Sequence, residues 1–262
     1  MLKNVKSHFR FAIDKRITTI AGAWVYYFLS AIIPLAFLLI TAYGVFGVDV
    51  STQLVARLPI EFRDIAYKIV TTAKMGYKGV TIIFVFSVIF SASALIRQML
   101  FDGGYIYDCK RKNKYFLRVS KGVVAIIVLF AVFLLSALLL VFGEYLLNTF
   151  SDRKVKIFFI FLCSVVFTII CFVVIFLLNV VICPIKIKKT VLLCNSMLSL
   201  ILIFLSSIAM KIYLRISSRF NAFYGSLASV FGFLVWIYVC MFSLCIGVVF
   251  SAFYSNKINK DN

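Results

Sequence analysis

Acidic residues are scarce in this chain. Nine Asp and Glu stand against 28 Lys and Arg in 262 residues, and the only histidine is His8. Two buried carboxylates for acid–base work are not available, and His8 sits alone in a basic N-terminal segment with no metal-ligand or nucleophile partner. Charge of either sign is low, at 14%, where soluble domains carry roughly 25%. The phosphate-cradling pattern G-x-x-x-x-G-K-[ST] and the zinc-protease pattern H-E-x-x-H are missing, and Gly225-Ser226 lacks both outer positions of a G-x-S-x-G elbow. Catalysis, ATP hydrolysis and a bound cofactor or metal are therefore not expected. The seven cysteines contain no C-x-x-C pair and fall mostly in apolar blocks, where a thiol behaves as a small hydrophobe.

Apolar residues fill the space that charge leaves. They make up 64% of the chain, against roughly 45–50% in soluble proteins, and they are gathered in long charge-free runs. Crossing a bilayer takes ~20 apolar residues in a helix, whereas a membrane barrel would show ~10-residue alternation. The fold class expected is an all-α integral membrane protein: a bundle of six transmembrane helices with short amphipathic interfacial helices.

The expected organisation is a cytoplasmic amphipathic segment at 1–20, a six-helix transmembrane domain at 21–254 and a cytoplasmic tail at 255–262. The spans are placed at about 21–48, 79–101, 122–142, 157–182, 191–212 and 224–254. Phe9, Ile13, Ile17 and Ile20 recur at helical spacing among Lys3, Lys6, Arg10, Lys15 and Arg16, which suits a helix lying on the membrane surface. Between the first two spans, Leu54, Leu58, Phe62, Ile65 and Ile69 predict an amphipathic helix or helix pair broken at Pro59. The last span has no charge from Tyr224 to Tyr254, and Ala228, Gly232, Ser243, Gly247 and Ser251 give it a face that another helix can approach closely.

Lys and Arg sit at the ends of the apolar blocks, densest between Asp102 and Lys121. That placement sets orientation and does not form a nucleic-acid stripe; it predicts both termini in the cytoplasm. The expected partners are the lipid bilayer, including anionic lipids, and a small-molecule or lipid substrate; nucleic acid is not expected, and a homo-oligomer is left open.

A short list of residues stands out inside or beside the spans: Tyr27, Pro34, Arg97, Asn179, Asn195, Asn221, Tyr224, Gly225, Ser226 and Trp236. Pro34 removes a backbone hydrogen bond and is expected to kink the first span. Arg97 is an ionisable group close enough to a helix end to reach the headgroups. Asn179 and Asn195 fall near the ends of neighbouring spans joined by a short turn, where they are expected to hydrogen-bond across the helices.

Several of these residues occur in order in a known pattern. Ala21-Gly22-Ala23-Trp24-Val25-Tyr26-Tyr27-Phe28-Leu29 with Pro34-Leu35, Phe90-Ser91-Ala92-Ser93-Ala94 with Arg97, Pro184 with the basic residues after it, and Arg219-Phe220-Asn221-Ala222-Phe223-Tyr224-Gly225-Ser226-Leu227 with Trp236-Ile237-Tyr238 resemble the YihY/BrkB family of bacterial inner-membrane proteins. The resemblance implies a six-helix protein of the bacterial cytoplasmic membrane. Some members carry a ribonuclease label, which no acidic metal cluster or soluble nucleic-acid surface supports here. Family members often end the last span on Gly-Ala-Glu-Leu-Asn-Ala. The matching stretch here is Gly247-Val248-Val249-Phe250-Ser251-Ala252, without the carboxylate. Two functions are compatible: a transporter or permease of an anionic solute or envelope lipid, and a non-transporting scaffold or envelope-integrity, virulence-associated factor.

Overall fold

The computed structural model describes residues 11–45, 78–109, 153–185, 187–217 and 226–261. Five long helices account for nearly all of them: α1 (Ile17–Val45), α2 (Lys78–Ile106), α3 (Arg153–Ile182), α4 (Lys189–Ser217) and α5 (Ser226–Asp261). There is no strand among the described residues. A lipid surround leaves no water to satisfy a backbone group, so long apolar runs close their own hydrogen bonds as helices.

Among the described residues, four stretches are long and apolar enough to cross a membrane: Ile82–Ile106, Ile157–Ile182, Lys189–Ile216 and Val230–Ser255. The apolar stretch Ile17–Ile32 in α1 is shorter. Four of the six expected spans are thus found; the third expected span, the amphipathic segment after the first span and the basic loop from 110 onward lie outside the described residues.

The helices overrun the expected spans. α2 continues past Asp102, which is buried at 5% exposure, to Ile106. α3 takes in Arg153, Lys154 and Lys156, ahead of the span expected at about 157–182, and α5 takes in Lys257 and Lys260, expected in a tail. The physical reason is that hydropathy marks where lipid begins, while a helix ends only where its own hydrogen bonds stop. Pro34 lies within α1, which is helical on both sides of it.

The chain divides into two compact units. One consists of Met1–Lys15, Met99–Leu200 and Ile246–Asn262, the other of Arg16–Gln98 and Ile201–Cys245. In the first, Met99, Ile106, Ile182 and Val248 are almost fully buried, together with Asn179, Asn195, Ser196, Ser199 and Ser251. In the second, Ala21, Trp24, Ile96 and Ile237 are buried, and the Tyr238 hydroxyl donates to the Thr18 carbonyl at 3.4 Å. The outward side chains are oily: Phe86, Phe90, Phe158, Phe161, Phe204 and Phe231 are all exposed. That pattern suits a hydrocarbon surround and would be a liability in water.

Candidate functional site: a buried polar cluster

Within the first unit, four segments bring polar side chains together. Asn179 comes from the last turn of α3. Asn195, Ser196 and Ser199 come from the second and third turns of α4, Gly247 and Ser251 from α5, and Tyr107 from the residue after α2. Asn195 and Ser199 are four residues apart, as are Gly247 and Ser251, so each pair stands on one helical face. All of these polar side chains are buried, with Asn179 at 2%, Asn195 at 1% and the three serines at 0% exposure.

Their hydrogen bonds can be assigned by counting protons. Ser251 Oγ gives its single proton to the Val248 carbonyl at 3.0 Å. It can then only accept, from Asn195 Nδ2 at 3.2 Å and from the Tyr107 hydroxyl at 2.6 Å. Ser196 Oγ likewise donates to the Leu192 carbonyl at 2.8 Å and accepts from Asn179 Nδ2 at 3.0 Å. The expected bond between Asn179 and Asn195 is thus replaced by two bonds to serines. Neighbouring positions on a helix point about 100° apart, so Ser196 faces Asn179 while Asn195 faces α5.

Two acceptors are left over: Asn179 Oδ1 and Asn195 Oδ1 are buried without a partner. Asn195 Oδ1 and Ser199 Oγ both press on Gly247, occupying the place where any other residue would carry its Cβ. Gly103 on α2 is equally tight against the Ile182 carbonyl, while Gly104 beside it meets nothing.

Tyr107 lies just beyond the apolar stretch of α2, and burial pushes its phenol well above the ordinary value, with Cys183 adding to the shift and the bond to Ser251 opposing it. The phenol therefore stays protonated and acts as a donor. A second polar contact in this unit fixes the N-terminal segment. Lys15, 9% exposed, pairs with Asp108, donates to the Tyr105 carbonyl at 3.2 Å and rests over the rings of Phe11 and Tyr105 at 5.5 and 5.2 Å. Asp108 adopts a left-handed backbone with φ 51°, so the chain turns there and presents the carboxylate to Lys15.

The remaining candidates are dispersed. Tyr27 is half-buried with its ring 5.3 Å from Tyr26, and Pro34 is half-buried inside α1. Arg97 is exposed. Trp236 is half-buried, 5.9 Å from the Phe233 ring, and its indole Nε1 is buried without a partner. Ser226 begins α5, and Asn221, Tyr224 and Gly225 lie outside the described residues. Sequence reasoning passed over Tyr107, Ser196 and Ser199. The four-residue spacing that pairs Asn195 with Ser199 and Gly247 with Ser251 was the available signal.

The cluster is neutral, and no group of His, Cys, Asp and Glu suited to a metal occurs among the described residues. Its hydrogen bonds tie α3 to α4, and α4 and the end of α2 to α5. Helices of membrane-crossing length, an oily exterior and polar residues turned inward define a helical membrane protein. Residues 9–262 match the family described as Virulence factor BrkB, and the chain belongs to that family. No curated protein and no solved structure matches it.

Proposed function

We propose that the protein is a transporter or permease of an anionic solute or envelope lipid in the bacterial cytoplasmic membrane, with both termini in the cytoplasm. The observation that carries this reading is the buried cluster of Asn179, Asn195, Ser196, Ser199, Ser251 and Tyr107, with two unmatched amide oxygens. Polar groups inside membrane helices are costly and tend to mark pathways or sites. An incompletely satisfied cluster is also one that another arrangement of the same helices can satisfy better. Basic residues at the span ends attract anionic groups to the surface.

The test is reconstitution into liposomes, with flux of anionic solutes and phospholipids measured for the wild type, Asn195→Leu and Arg97→Ala. Flux above empty liposomes that falls at least tenfold in Asn195→Leu supports the reading. Flux never exceeding empty liposomes overturns it in favour of a non-transporting envelope-integrity factor. That second reading has its own support: Arg97 is exposed, and helix packing at Gly247 is close.

A further inference from the structure

In the first unit, residues 11–15 form a second tie between α2 and α5, besides the Tyr107–Ser251 bond. The α2 helix ends in a Schellman turn: the Cys109 N–H donates to the Gly104 carbonyl at 3.1 Å and the Asp108 N–H to the Tyr105 carbonyl at 3.3 Å. Lys15 brings its ammonium to that end, against the Tyr105 carbonyl and the Asp108 carboxylate, where the helix dipole favours a cation. One turn back, the Phe11 ring meets Phe253 of α5 edge-on, with centroids 5.7 Å apart. The Lys15 N–H donates to the Phe11 carbonyl at 3.1 Å, so the two anchors belong to one turn of chain.

The two ties work at one level and from different sides. Ser251 and Phe253 are ~3 Å apart along α5 and about 200° apart around it. Tyr107 therefore holds α5 on one side and Phe11 holds it on the other. Asp108 directly follows Tyr107, so the contacts close a ring: Asp108, Lys15, Phe11, Phe253, Ser251, Tyr107. Releasing the N-terminal segment leaves the end of α2 attached to α5 through the Tyr107 hydroxyl, which belongs to the buried cluster.

The segment is suited to letting go. Arg16 has a left-handed backbone with φ 49°, which breaks the chain's helical path between residues 11–14 and α1. The Asp108 side chain is 64% exposed, and a pair with so exposed a carboxylate is weak. An anionic membrane surface attracts each nearby lysine or arginine with comparable strength. Before α1 the sequence carries Lys3, Lys6, Arg10, Lys15 and Arg16 against Asp14 as the one acid. Ile13, Tyr105 and Tyr254 are exposed in this unit, and such side chains favour the headgroup border.

We propose that the N-terminal segment is a latch that responds to the charge of the membrane surface. With neutral lipid, Lys15 stays on Asp108 and the segment clamps α2 to α5. With anionic phospholipid, Lys15 passes to the headgroups, Ile13 beds among them, and the end of α2 loosens from α5. The proposal concerns regulation and stands apart from the transport reading.

Hydrogen exchange of the full chain in nanodiscs tests it. Amides in 99–109 and 246–254 should exchange at least threefold faster in phosphatidylglycerol than in phosphatidylcholine, while 157–170 is unchanged. Inorganic phosphate added to the phosphatidylcholine discs should have no effect, since a free ion offers Ile13 no apolar surface. In Lys15→Gln and Asp108→Asn both segments should exchange fast in either lipid, so that the ratio falls to about one. A merely structural contact would also loosen in these variants, but it would not answer to lipid charge in the parent. Equal exchange of the parent in the two lipids overturns the proposal. So does release by phosphate alone, or a full threefold response retained in Asp108→Asn. No flux is read, so a protein that transports nothing still passes or fails this test.

Discussion

Asn195 rests its amide oxygen on Gly247, in the space a Cβ would need. The contact makes glycine a requirement at this point of α5. Gly103 has an analogous constraint, except that its obstacle is the Ile182 backbone carbonyl, which cannot rotate away. Gly22 and Gly104 meet nothing within 4 Å.

These differences predict a ranking. Gly103→Ala should destabilise most and Gly247→Ala next, each on the order of 1–3 kcal/mol as overpacking costs. Gly104→Ala should be neutral or gain up to ~1 kcal/mol, as alanine does at a compatible helical site. Melting of the detergent-solubilised protein gives the order directly, and Gly104→Ala proving the worst of the three would contradict the packing described.

Ser251 is the shared acceptor of two buried donors. Ser251→Ala leaves the Asn195 amide unmatched and the Tyr107 hydroxyl with Cys183 alone, and should cost about 1–3 kcal/mol. Tyr107→Phe removes a donor and leaves Ser251 its other bonds, so it should cost less. The double variant should fall short of the sum, because the two residues share one interaction. A thermodynamic cycle on the four proteins measures that shortfall, and strict additivity would mean the bond contributes nothing.

The phenol of Tyr107 titrates above its ordinary range because folding buries it. Its contribution to stability is fully present below the ordinary tyrosine value of 10.0 and is lost as pH rises above it, since the unfolded chain then releases a proton that the folded one retains. The stability difference between wild type and Tyr107→Phe should accordingly be flat from pH 6 to 9 and shrink at higher pH. An ultraviolet titration in which every tyrosine ionises together near pH 10 would refute the burial of this group.

Lys15 offers a test that separates charge from backbone. Asp108→Asn keeps a residue that accepts the left-handed conformation and deletes only the ion pair. It should cost at most ~1 kcal/mol, since the carboxylate is well exposed. Asp108→Ala loses the conformational preference as well and should cost more. Proteolysis between Lys15 and α1 reports on both, and should accelerate in the order wild type, Asp108→Asn, Asp108→Ala.

How much of this was legible beforehand depends on what each residue answers to. The helices could be read because lipid allows only self-satisfied backbone, and Ile157–Ile182 or Val230–Ser255 announce themselves by composition. Their ends could not. Asp102 reads as a terminus but is buried in a helix that continues to Ile106, because neighbours absent from the local sequence cover it. Asn179 and Asn195 were visible as polar residues near helix ends. Their partners were not, because a turn of about 100° per residue decides whether Asn195 or Ser196 meets α3, and that depends on how α4 is rotated in its surroundings. Tyr107 gave no local sign at all; only the arrival of Ser251 from the far end of the chain makes it a buried donor.

The distribution of side chains also bears on handling. Phe86, Phe90, Phe158 and Phe161 face outward while Asn179, Asn195, Ser196 and Ser251 are enclosed. Water cannot drive such a molecule to its native shape, since aqueous collapse would draw the phenylalanines in and push the amides out. Dilution from urea into buffer should yield aggregates with the wrong side chains inside. Recovery calls for a micelle or bilayer that already solvates the phenylalanines, leaving the few enclosed polar contacts to choose among the ways the helices can meet.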